Sequence, residues 1–355
     1  MRDDTVGGLV LQSLRLNAWP LALIAALVIG GAVTANLHGF AFRPQVVDGF
    51  WTLFVAGSFA LILCGSLMMG LVKDRPERPF LYIKARLDDW RVGRRLVLAL
   101  PILLAAPLLF SSFSSLKAGI PVMRPFDMDL IFVEMDRVLH GGIDPWRLVE
   151  PILRWPEAVF GLNMLYHLWF FLFCGALAGA AVMDRRLQLR AQFLIAVILC
   201  WIVLGLVAAT HMSSVGPVYL SDFYPGVTDP YAEQMALLRA ANEVYPIWAL
   251  DVQALLLNGV RNPDTAMIGG GISAMPSLHV SIAVLMALFA QRLNHWLGFA
   301  AWMFAALTML GSVVLAWHYA VDGYLSIVAT PLIWMASGWL ARLRLAAPSA
   351  QPASA

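Results

Sequence analysis

Long apolar runs alternate with short polar segments along the chain, and these runs predict membrane-spanning helices. Eight runs are long enough to cross a bilayer, which takes about 20 residues in a helix. By residue number they cover 17–38, 50–72, 94–112, 157–183, 190–212, 277–292, 295–317 and 321–341. Because a helix satisfies its own backbone hydrogen bonds in lipid, we expect an all-α, polytopic membrane protein with about eight transmembrane helices.

Two long segments, 113–156 and 213–276, separate the apolar runs on one predicted side of the membrane. The first contains DMDLIFVEMDRVLH, whose apolar residues recur at helical spacing: Met128, Ile131, Phe132, Met135 and Leu139. Asp129, Asp136 and His140 form the opposite stripe, so we expect an amphipathic helix lying at the membrane interface. The second segment contains YAEQMALLRAANEV and WALDVQALLLNGV, which predict two further interfacial helices.

Composition agrees with a membrane protein. Hydrophobic residues make up 60% of the chain and charged residues 13%, whereas a soluble domain carries about 25% charged residues. The net charge of +2 is too small to indicate nucleic-acid binding. We interpret residues 1–345 as a single integral membrane domain, and the polar, proline-containing tail 346–355 as disordered.

The placement of lysine and arginine predicts the orientation. The segments KDRPERPFLYIKARLDDWRVGRR and DRRLQLR are basic, and Arg292, Arg342 and Arg344 fall on the same side as these segments. Cytoplasmic loops carry the excess of Lys and Arg, so both termini are expected in the cytoplasm. We expect the protein to lie in the inner or plasma membrane. The two long segments would then lie on its outer face, towards the periplasm or a lumen.

The stretch GISAMPSLHVS places polar groups directly before an apolar run. Pro276 is suited to the first turn of a helix, where its missing N–H costs nothing. Ser277 and His279 would share that first turn, where free N–H groups and the helix dipole bind anions. A hydroxyl and an imidazole at this position favour a phosphate ligand.

A second polar cluster, AWHYAVDGY, follows some forty residues later. His318 and Asp322 are four residues apart and share one face of a helix. An aspartate bonded to one ring nitrogen fixes the tautomer and leaves the other nitrogen free to attack. The predicted topology places His279 and His318 on the same, outer side of the membrane.

These motifs resemble those of the type 2 phosphatidic acid phosphatase superfamily. PSLH and HYAVD resemble its second and third signatures, and KAGIPVMRP, residues 117–125, resembles the first. The likeness is strongest over 270–325 and weaker over 113–156, and the branch that looks most similar is that of inositolphosphorylceramide synthase and related inositolphosphotransferases. Leu278 stands in place of the family glycine, as in that branch, and Ser312 stands where the third signature carries an arginine.

The resemblance implies a role for each matching residue. His318 would be the nucleophile that forms a phosphohistidine, and Asp322 would orient its ring. His279 would protonate the leaving group and then activate the acceptor. The residues implied to bind phosphate are Ser277, Lys117 and Arg124. No metal ligand cluster is evident in the sequence, and no cofactor is implied.

Several polar residues have more than one interpretation. Lys117 and Arg124 could instead be solvated loop charges or anchors for lipid phosphates. Five residues are candidates for headgroup binding: Asp129, Asp136, Arg137, His167 and His211. The alternative for the first three is the water-exposed face of the amphipathic helix, and for the two histidines it is packing or an interfacial position.

The sequence therefore predicts a membrane enzyme that cleaves a lipid phosphoester and transfers the phosphoryl group or phospho-headgroup to a hydroxyl acceptor. The donor would be a membrane phospholipid or another lipid phosphate. The acceptor would be a lipid hydroxyl, a polyol hydroxyl or water. With water as acceptor the activity would be that of a phosphatase. The alternative from another class is a lipid-binding or lipid-moving protein without catalysis.

Overall fold

The computed structural model describes residues 6–46, 49–261 and 270–345, and within these ranges its regular structure is helical and contains no strand. The predicted all-α class is therefore confirmed. Seven of the described helices are long and apolar enough to cross a membrane. The tail predicted to be disordered, 346–355, lies outside the described residues.

The helices are numbered in chain order. The first nine are α1 (Val6–His38), α2 (Gly49–Asp74), α3 (Pro79–Asp89), α4 (Val92–Ala118), α5 (Ile120–Met123), α6 (Asp129–Leu139), α7 (Pro145–Leu148), α8 (Glu150–Leu153) and α9 (Pro156–Ala181). The others are α10 (Leu187–Leu199), α11 (Ala209–His211), α12 (Leu220–Phe223), α13 (Ala232–Asn242), α14 (Trp248–Arg261), α15 (Leu278–Leu293), α16 (His295–Val314) and α17 (Ala320–Leu345). A π-helical stretch, Cys200–Ala208, joins α10 to α11, and a 3₁₀ turn, Pro217–Tyr219, precedes α12.

Each predicted span corresponds to a helix or, for 190–212, to the continuous run from α10 to α11. The span predicted over 277–292 is α15, which has only 16 residues and is about 24 Å long. It packs against α9, α10, α16 and α17 and is buried along most of its length. Because neighbouring helices surround it, α15 forms the centre of the bundle although it is the shortest of the eight.

The two signature motifs meet at one end of the bundle, which we call the site end. The backbone N–H of Ser277 donates to the carbonyl of Asp322 at 3.3 Å. Gly271, just before the first motif, lies so close to the end of α4 that a Cβ there would be 2.9 Å from the Ala118 nitrogen. Its φ of +88° is likewise readily adopted only by glycine. The amino ends of α9, α15 and α17 and the carboxyl ends of α4 and α16 therefore cluster at the site end.

The carboxyl end of α16 is held by two glutamines from the outer helices. Gln234 of α13 donates to the Val313 carbonyl at 2.7 Å, and Gln253 of α14 donates to the Leu315 carbonyl at 2.8 Å. The last carbonyls of a helix have no partner within the helix. Gln234, which also donates to the Val314 carbonyl at 3.2 Å, and Gln253 satisfy such carbonyls, which are costly to bury unpaired. The turn that follows α16 and carries the second motif is thereby fixed on its α16 side.

The amino end of α17 is held by α6. The Asp136 carboxylate accepts hydrogen bonds from the backbone N–H groups of Ala320 and Val321, both at 2.8 Å. A carboxylate at the amino end of a helix satisfies free donors and interacts favourably with the helix dipole. The turn between α16 and α17 is therefore fixed from both sides.

The orientation of α6 differs from the predicted one. The sequence predicts a helix here, as observed, with its acidic stripe as a candidate water-exposed face. In the structure Asp129 and Asp136 are 0% and 1% exposed, whereas Ile131 is 49% exposed and Val138 is 71% exposed. The prediction of a water-exposed acidic face is wrong, because these carboxylates satisfy backbone donors of other segments while the apolar face points away from the protein.

Asp129 organises a second loop in the same way. Its carboxylate accepts hydrogen bonds from the N–H groups of Val215 and Gly216 and from the Tyr319 hydroxyl, at 2.8 to 3.0 Å. Gly216 has a φ of +92°, and a Cβ there would come within 2.8 Å of the Trp317 carbonyl oxygen. The loop after α11 can therefore approach the second motif only with glycine at this position.

Candidate active site

His318 lies in the turn before α17 and Asp322 lies in the first turn of that helix, so the prediction that one helix carries both residues is wrong. The two side chains nevertheless form a hydrogen-bonded pair. His318 Nδ1 lies 3.1 Å from Asp322 Oδ2, and the Tyr319 backbone N–H donates to the same oxygen at 3.2 Å. Asp322 is fully buried and His318 is 8% exposed. With Nδ1 donating to the carboxylate, Nε2 of His318 carries the lone pair and is the nitrogen available to attack an electrophile.

Burial shifts the titration of His318. It lowers the pKa of the imidazole to about 3, and the positive charge of Lys117 adds to this effect. Burial disfavours the charged form of a base, and a nearby cation does the same. His318 is therefore neutral at physiological pH, which is the protonation state that a nucleophilic imidazole needs.

The first motif forms the amino end of α15, one residue later than predicted. The helix begins at Leu278, with Ser277 as its N-cap, so Pro276 precedes the cap and does not occupy the first turn. The Ser277 hydroxyl oxygen accepts a hydrogen bond from the Val280 N–H at 3.4 Å. A hydroxyl that accepts at an N-cap can still donate its own hydrogen, so Ser277 remains able to bind an anion.

The His279 ring faces His318 across the site end. The two ring centroids are 6.3 Å apart, with an angle of 57° between the planes. Trp169 of α9 donates from its indole N–H to the His279 carbonyl at 2.9 Å, and its ring lies 4.5 Å from the imidazole. Tyr166, one turn earlier on α9, stacks on the imidazole at 4.6 Å. Aromatic side chains of α9 thus fix the position of His279.

The two motifs are also joined through α17. The Ser326 hydroxyl lies 2.9 Å from both the Ser277 carbonyl and the Asp322 carbonyl. One turn further from the site, Thr330 donates to the Ser281 hydroxyl at 2.8 Å. These buried bonds between α15 and α17 fix the distance between the two histidines, because buried polar groups are costly to leave unpaired.

The two cations of the segment KAGIPVMRP, residues 117–125, lie in different surroundings. Lys117, near the carboxyl end of α4, is half-buried and lies within electrostatic range of both His279 and His318. Arg124 instead pairs with Asp127 at 3.3 Å, and its side chain is 36% exposed. Lys117 therefore lies near His279 and His318, which we call the histidine pair, whereas Arg124 forms an ion pair with a neighbouring carboxylate.

The three candidates for headgroup binding on α6 already bond to other groups of the protein. Asp129 and Asp136 accept the backbone hydrogen bonds described above, and burial raises the pKa of both carboxyl groups while those bonds oppose the rise. Arg137 pairs with Asp144 at 2.7 Å. In this arrangement all three support the turns behind the histidines.

The two histidine candidates are separated. His167 of α9 is half-buried, lies within electrostatic range of His279, and meets Trp248 edge-on at 5.7 Å. His211 is exposed at the end of α11. His167 is thus near the histidine pair, whereas His211 Nδ1 lies 2.8 Å from the Val207 carbonyl oxygen one turn earlier.

Four supporting residues are not singled out by the sequence: Tyr166, Trp169, Gln234 and Gln253. The first two lie three residues apart in YHLWF within an apolar span, a pattern that otherwise indicates packing or a membrane-interface belt. The glutamines lie in the amphipathic outer helices, where nothing local marks them as buried. Their partners are 79 and 62 residues away along the chain.

Residue 312, where the third signature carries an arginine, supplies no positive charge to the site. Ser312 is fully buried, and its hydroxyl donates to the Met309 carbonyl at 2.7 Å. Its own carbonyl accepts the backbone N–H groups of Trp317 and His318, at 3.0 and 3.2 Å. Ser312 therefore shapes the turn that carries His318 rather than supplying charge to the site.

The family model described as "PAP2 superfamily" matches residues 130–338, which is more than half of the chain. The matched region contains both histidines and Asp322, and it excludes α1–α5 and with them Lys117. No curated protein and no solved structure gives a significant match.

Proposed function

Because the chain belongs to the PAP2 superfamily, we propose that it transfers a phosphoryl group or phospho-headgroup from a membrane lipid to a hydroxyl acceptor through a phosphohistidine at His318. The superfamily makes the chain an enzyme of the phosphatase and phosphotransferase type that acts on lipid phosphates. The observation that carries the finer proposal is the His318–Asp322 pair, 3.1 Å apart, opposite His279.

In the first step the Nε2 lone pair of His318 attacks phosphorus, and the bond from phosphorus to the leaving alcohol oxygen breaks. His279 gives a proton to that oxygen, which leaves as a neutral hydroxyl. Asp322 stabilises the positive charge that develops on the His318 ring. The two ring centroids are 6.3 Å apart, which brings both histidines to the same region of the site.

In the second step the acceptor hydroxyl gives its proton to His279, which is now neutral. The acceptor oxygen attacks phosphorus, and the bond between phosphorus and Nε2 breaks, which returns His318 to its starting form. Lys117 and Ser277 bind phosphoryl oxygens throughout and stabilise the charge that builds up on them. The same two histidines thus serve both steps with their roles reversed.

Burial of the nucleophile favours transfer over hydrolysis. His318 is 8% exposed, and Asp322 and Ser277 are fully buried. A site that excludes bulk water protects a reactive phosphohistidine until a bound acceptor arrives. We therefore favour a lipid or polyol hydroxyl as acceptor, as in the inositolphosphotransferase-like branch, with the site on the outer face of the membrane.

The proposal is tested by lipid mass spectrometry on a total phospholipid extract incubated with the purified protein. We compare the wild type with His318→Ala and with His38→Ala, a matched control at an exposed histidine whose Nδ1 bonds the Thr34 carbonyl. We expect the wild type and His38→Ala to consume one phospholipid class and form a new head-grouped product, and His318→Ala to do neither.

The products separate the alternatives. Dephosphorylated lipid with free phosphate would identify water as the acceptor and make the chain a phosphatase. Equal activity of the wild type and His318→Ala would refute the phosphohistidine. Lipid that copurifies with the protein but is never converted would favour the non-catalytic, lipid-binding alternative.

A further inference from the structure

Three unpaired polar atoms lie close to the histidine pair. Among the described residues, eight buried side-chain nitrogen or oxygen atoms lack a hydrogen-bond partner, and these include Tyr166 Oη, Trp317 Nε1 and Asp322 Oδ1. A buried polar group without a partner costs about 1–3 kcal/mol. Such atoms are rare in native proteins, and where they gather around one site they indicate groups that a ligand satisfies.

Tyr166 is the most firmly positioned of the three. Its ring stacks on His279 at 4.6 Å with an interplanar angle of 21°, and it lies nearly parallel to Trp317 at 6.5 Å. On its other side α16 approaches at Gly311, where a Cβ would be 3.3 Å from Tyr166 Cδ2. The ring is thus confined between His279 and α16, and the side chain is 5% exposed.

The site needs hydrogen-bond donors in addition to the neighbouring Lys117 cation. A phosphoryl group spreads its charge over three equatorial oxygens in the transition state. Among the described residues, Lys117 is the lysine or arginine whose charge acts on both histidine rings. Two of the three unpaired atoms, the phenol and the indole N–H, are hydrogen-bond donors, which matches an anion rich in acceptors.

We propose that the Tyr166 hydroxyl donates a hydrogen bond to an equatorial phosphoryl oxygen during transfer. The inference deepens the proposed function and uses the same site. A neutral donor held in a water-excluded site stabilises developing charge without reorganising, which is how oxyanion holes work. The Tyr166 ring stacks on His279, the residue proposed to protonate the leaving oxygen.

Orthovanadate tests the inference without knowledge of the lipid, because it adopts the five-coordinate geometry of a phosphoryl group in transfer. We would measure its binding to the purified full-length protein by isothermal titration calorimetry. Tyr166→Phe keeps the ring stacked on His279 and removes only the hydroxyl. We expect it to weaken vanadate binding by about tenfold or more, the effect of losing one hydrogen bond to a charged group.

Tyr231→Phe is the matched control. Tyr231 is also buried, at 3% exposure, and its hydroxyl also lacks a partner among the described residues. Its ring neighbours Tyr319 at 6.0 Å instead of a histidine. We expect Tyr231→Phe to bind vanadate within twofold of the wild type and Tyr166→Phe to lower kcat with little change in KM, since only the transition state needs the donor.

Equal vanadate affinity in Tyr166→Phe and the wild type would overturn the inference and leave the phosphohistidine proposal standing. Equal losses in the two phenylalanine variants would also overturn it, because they would indicate a general effect of removing buried hydroxyls. If Tyr166→Phe alone loses affinity while His318 is never phosphorylated, the inference stands and the proposed function fails.

Discussion

Two buried polar clusters lie at opposite ends of the helix bundle and differ in how their polar groups are satisfied. At the far end, Arg190 of α10 donates to Asn17 Oδ1 at 2.7 Å and to the Ala181 carbonyl at 3.1 Å. At the site end, Asp322 Oδ1 and Tyr166 Oη lack any partner within the described residues.

The difference separates stability from function. A cluster whose donors meet acceptors of the same protein joins helices and has nothing left for a ligand. A cluster with unpaired buried atoms gives up stability, and such a loss is expected where a substrate completes the hydrogen bonding. We therefore interpret the Arg190 cluster as structural and the histidine cluster as the place of chemistry, although both are buried and polar.

The largest effect is expected from Asp322→Asn, which keeps the shape of the site but cannot hold the same tautomer of His318. We expect kcat to fall about 10⁴-fold, in line with the loss when an orienting carboxylate becomes an amide. Thermal unfolding should change little, because the Tyr319 N–H still meets an oxygen. Activity within tenfold of wild type, measured on the substrate found by lipid analysis, would show that Asp322 does not orient the nucleophile.

Lys117 and Arg124 should differ although they share one motif. Lys117→Met removes the charge near both histidines, so we expect kcat/KM to fall about 10²-fold. Arg124→Met removes an arginine paired with Asp127, and a partly exposed ion pair contributes about 0–1 kcal/mol. We expect that variant to remain within threefold of wild type in the same steady-state assay. Equal losses of kcat/KM in the two variants would indicate that both cations bind the phosphate.

Arg190→Leu should produce the opposite result. It leaves the acceptors at Asn17 and Ala181 unpaired, so we expect the unfolding free energy to fall by about 2–4 kcal/mol. Activity per folded molecule should stay within twofold of wild type. Arg186→Leu is the control, because Arg186 is exposed one turn earlier. An Arg190 variant that keeps the wild-type unfolding free energy but is inactive would show that the Arg190 cluster also takes part in function.

The smallest effect is expected from lowering the pH, which should not reduce kcat/KM through His318. Protonation of His318 would abolish its nucleophilicity, but burial and Lys117 lower its pKa to about 3. As pH falls from 7 to 5, this group therefore stays neutral, whereas an unshifted histidine of pKa about 6.5 would cost about 30-fold at pH 5. We expect no loss of kcat/KM from protonation of His318 over this range. An acid limb near pH 6.5 in the rate profile would contradict the low pKa.

The sequence predicts the helices well because their signal is local. Apolar runs of sufficient length mark every span. The pairing of His318 with Asp322 is predicted from a shared helix face, whereas it forms between the turn before α17 and the first turn of that helix. The sequence also brings His279 and His318 to one side by counting spans. Which side of α6 faces the protein is not encoded locally, because an apolar stripe can meet either a core or a membrane.

The rest of the site depends on long-range contacts. Gln234 and Gln253 cap α16 from helices far along the chain, and Tyr166 reaches His279 only because α9 packs beside α15. Arg124 occupies the arginine position of the KAGIPVMRP motif, yet its side chain forms an ion pair with the neighbouring Asp127. Sequence spacing identifies the residues able to do the chemistry, and tertiary packing decides which of them meet.

Detection of a phosphohistidine on His318 is the decisive experiment for the proposed mechanism. The wild-type protein would be mixed with the donor lipid in the absence of acceptor, quenched in alkali, where a phosphorus–nitrogen bond survives, and digested for mass spectrometry. We predict a phosphoryl or phospho-headgroup adduct on His318 that disappears when acceptor is added before the quench. Full turnover with an unmodified His318, or an adduct on another residue, would contradict the account.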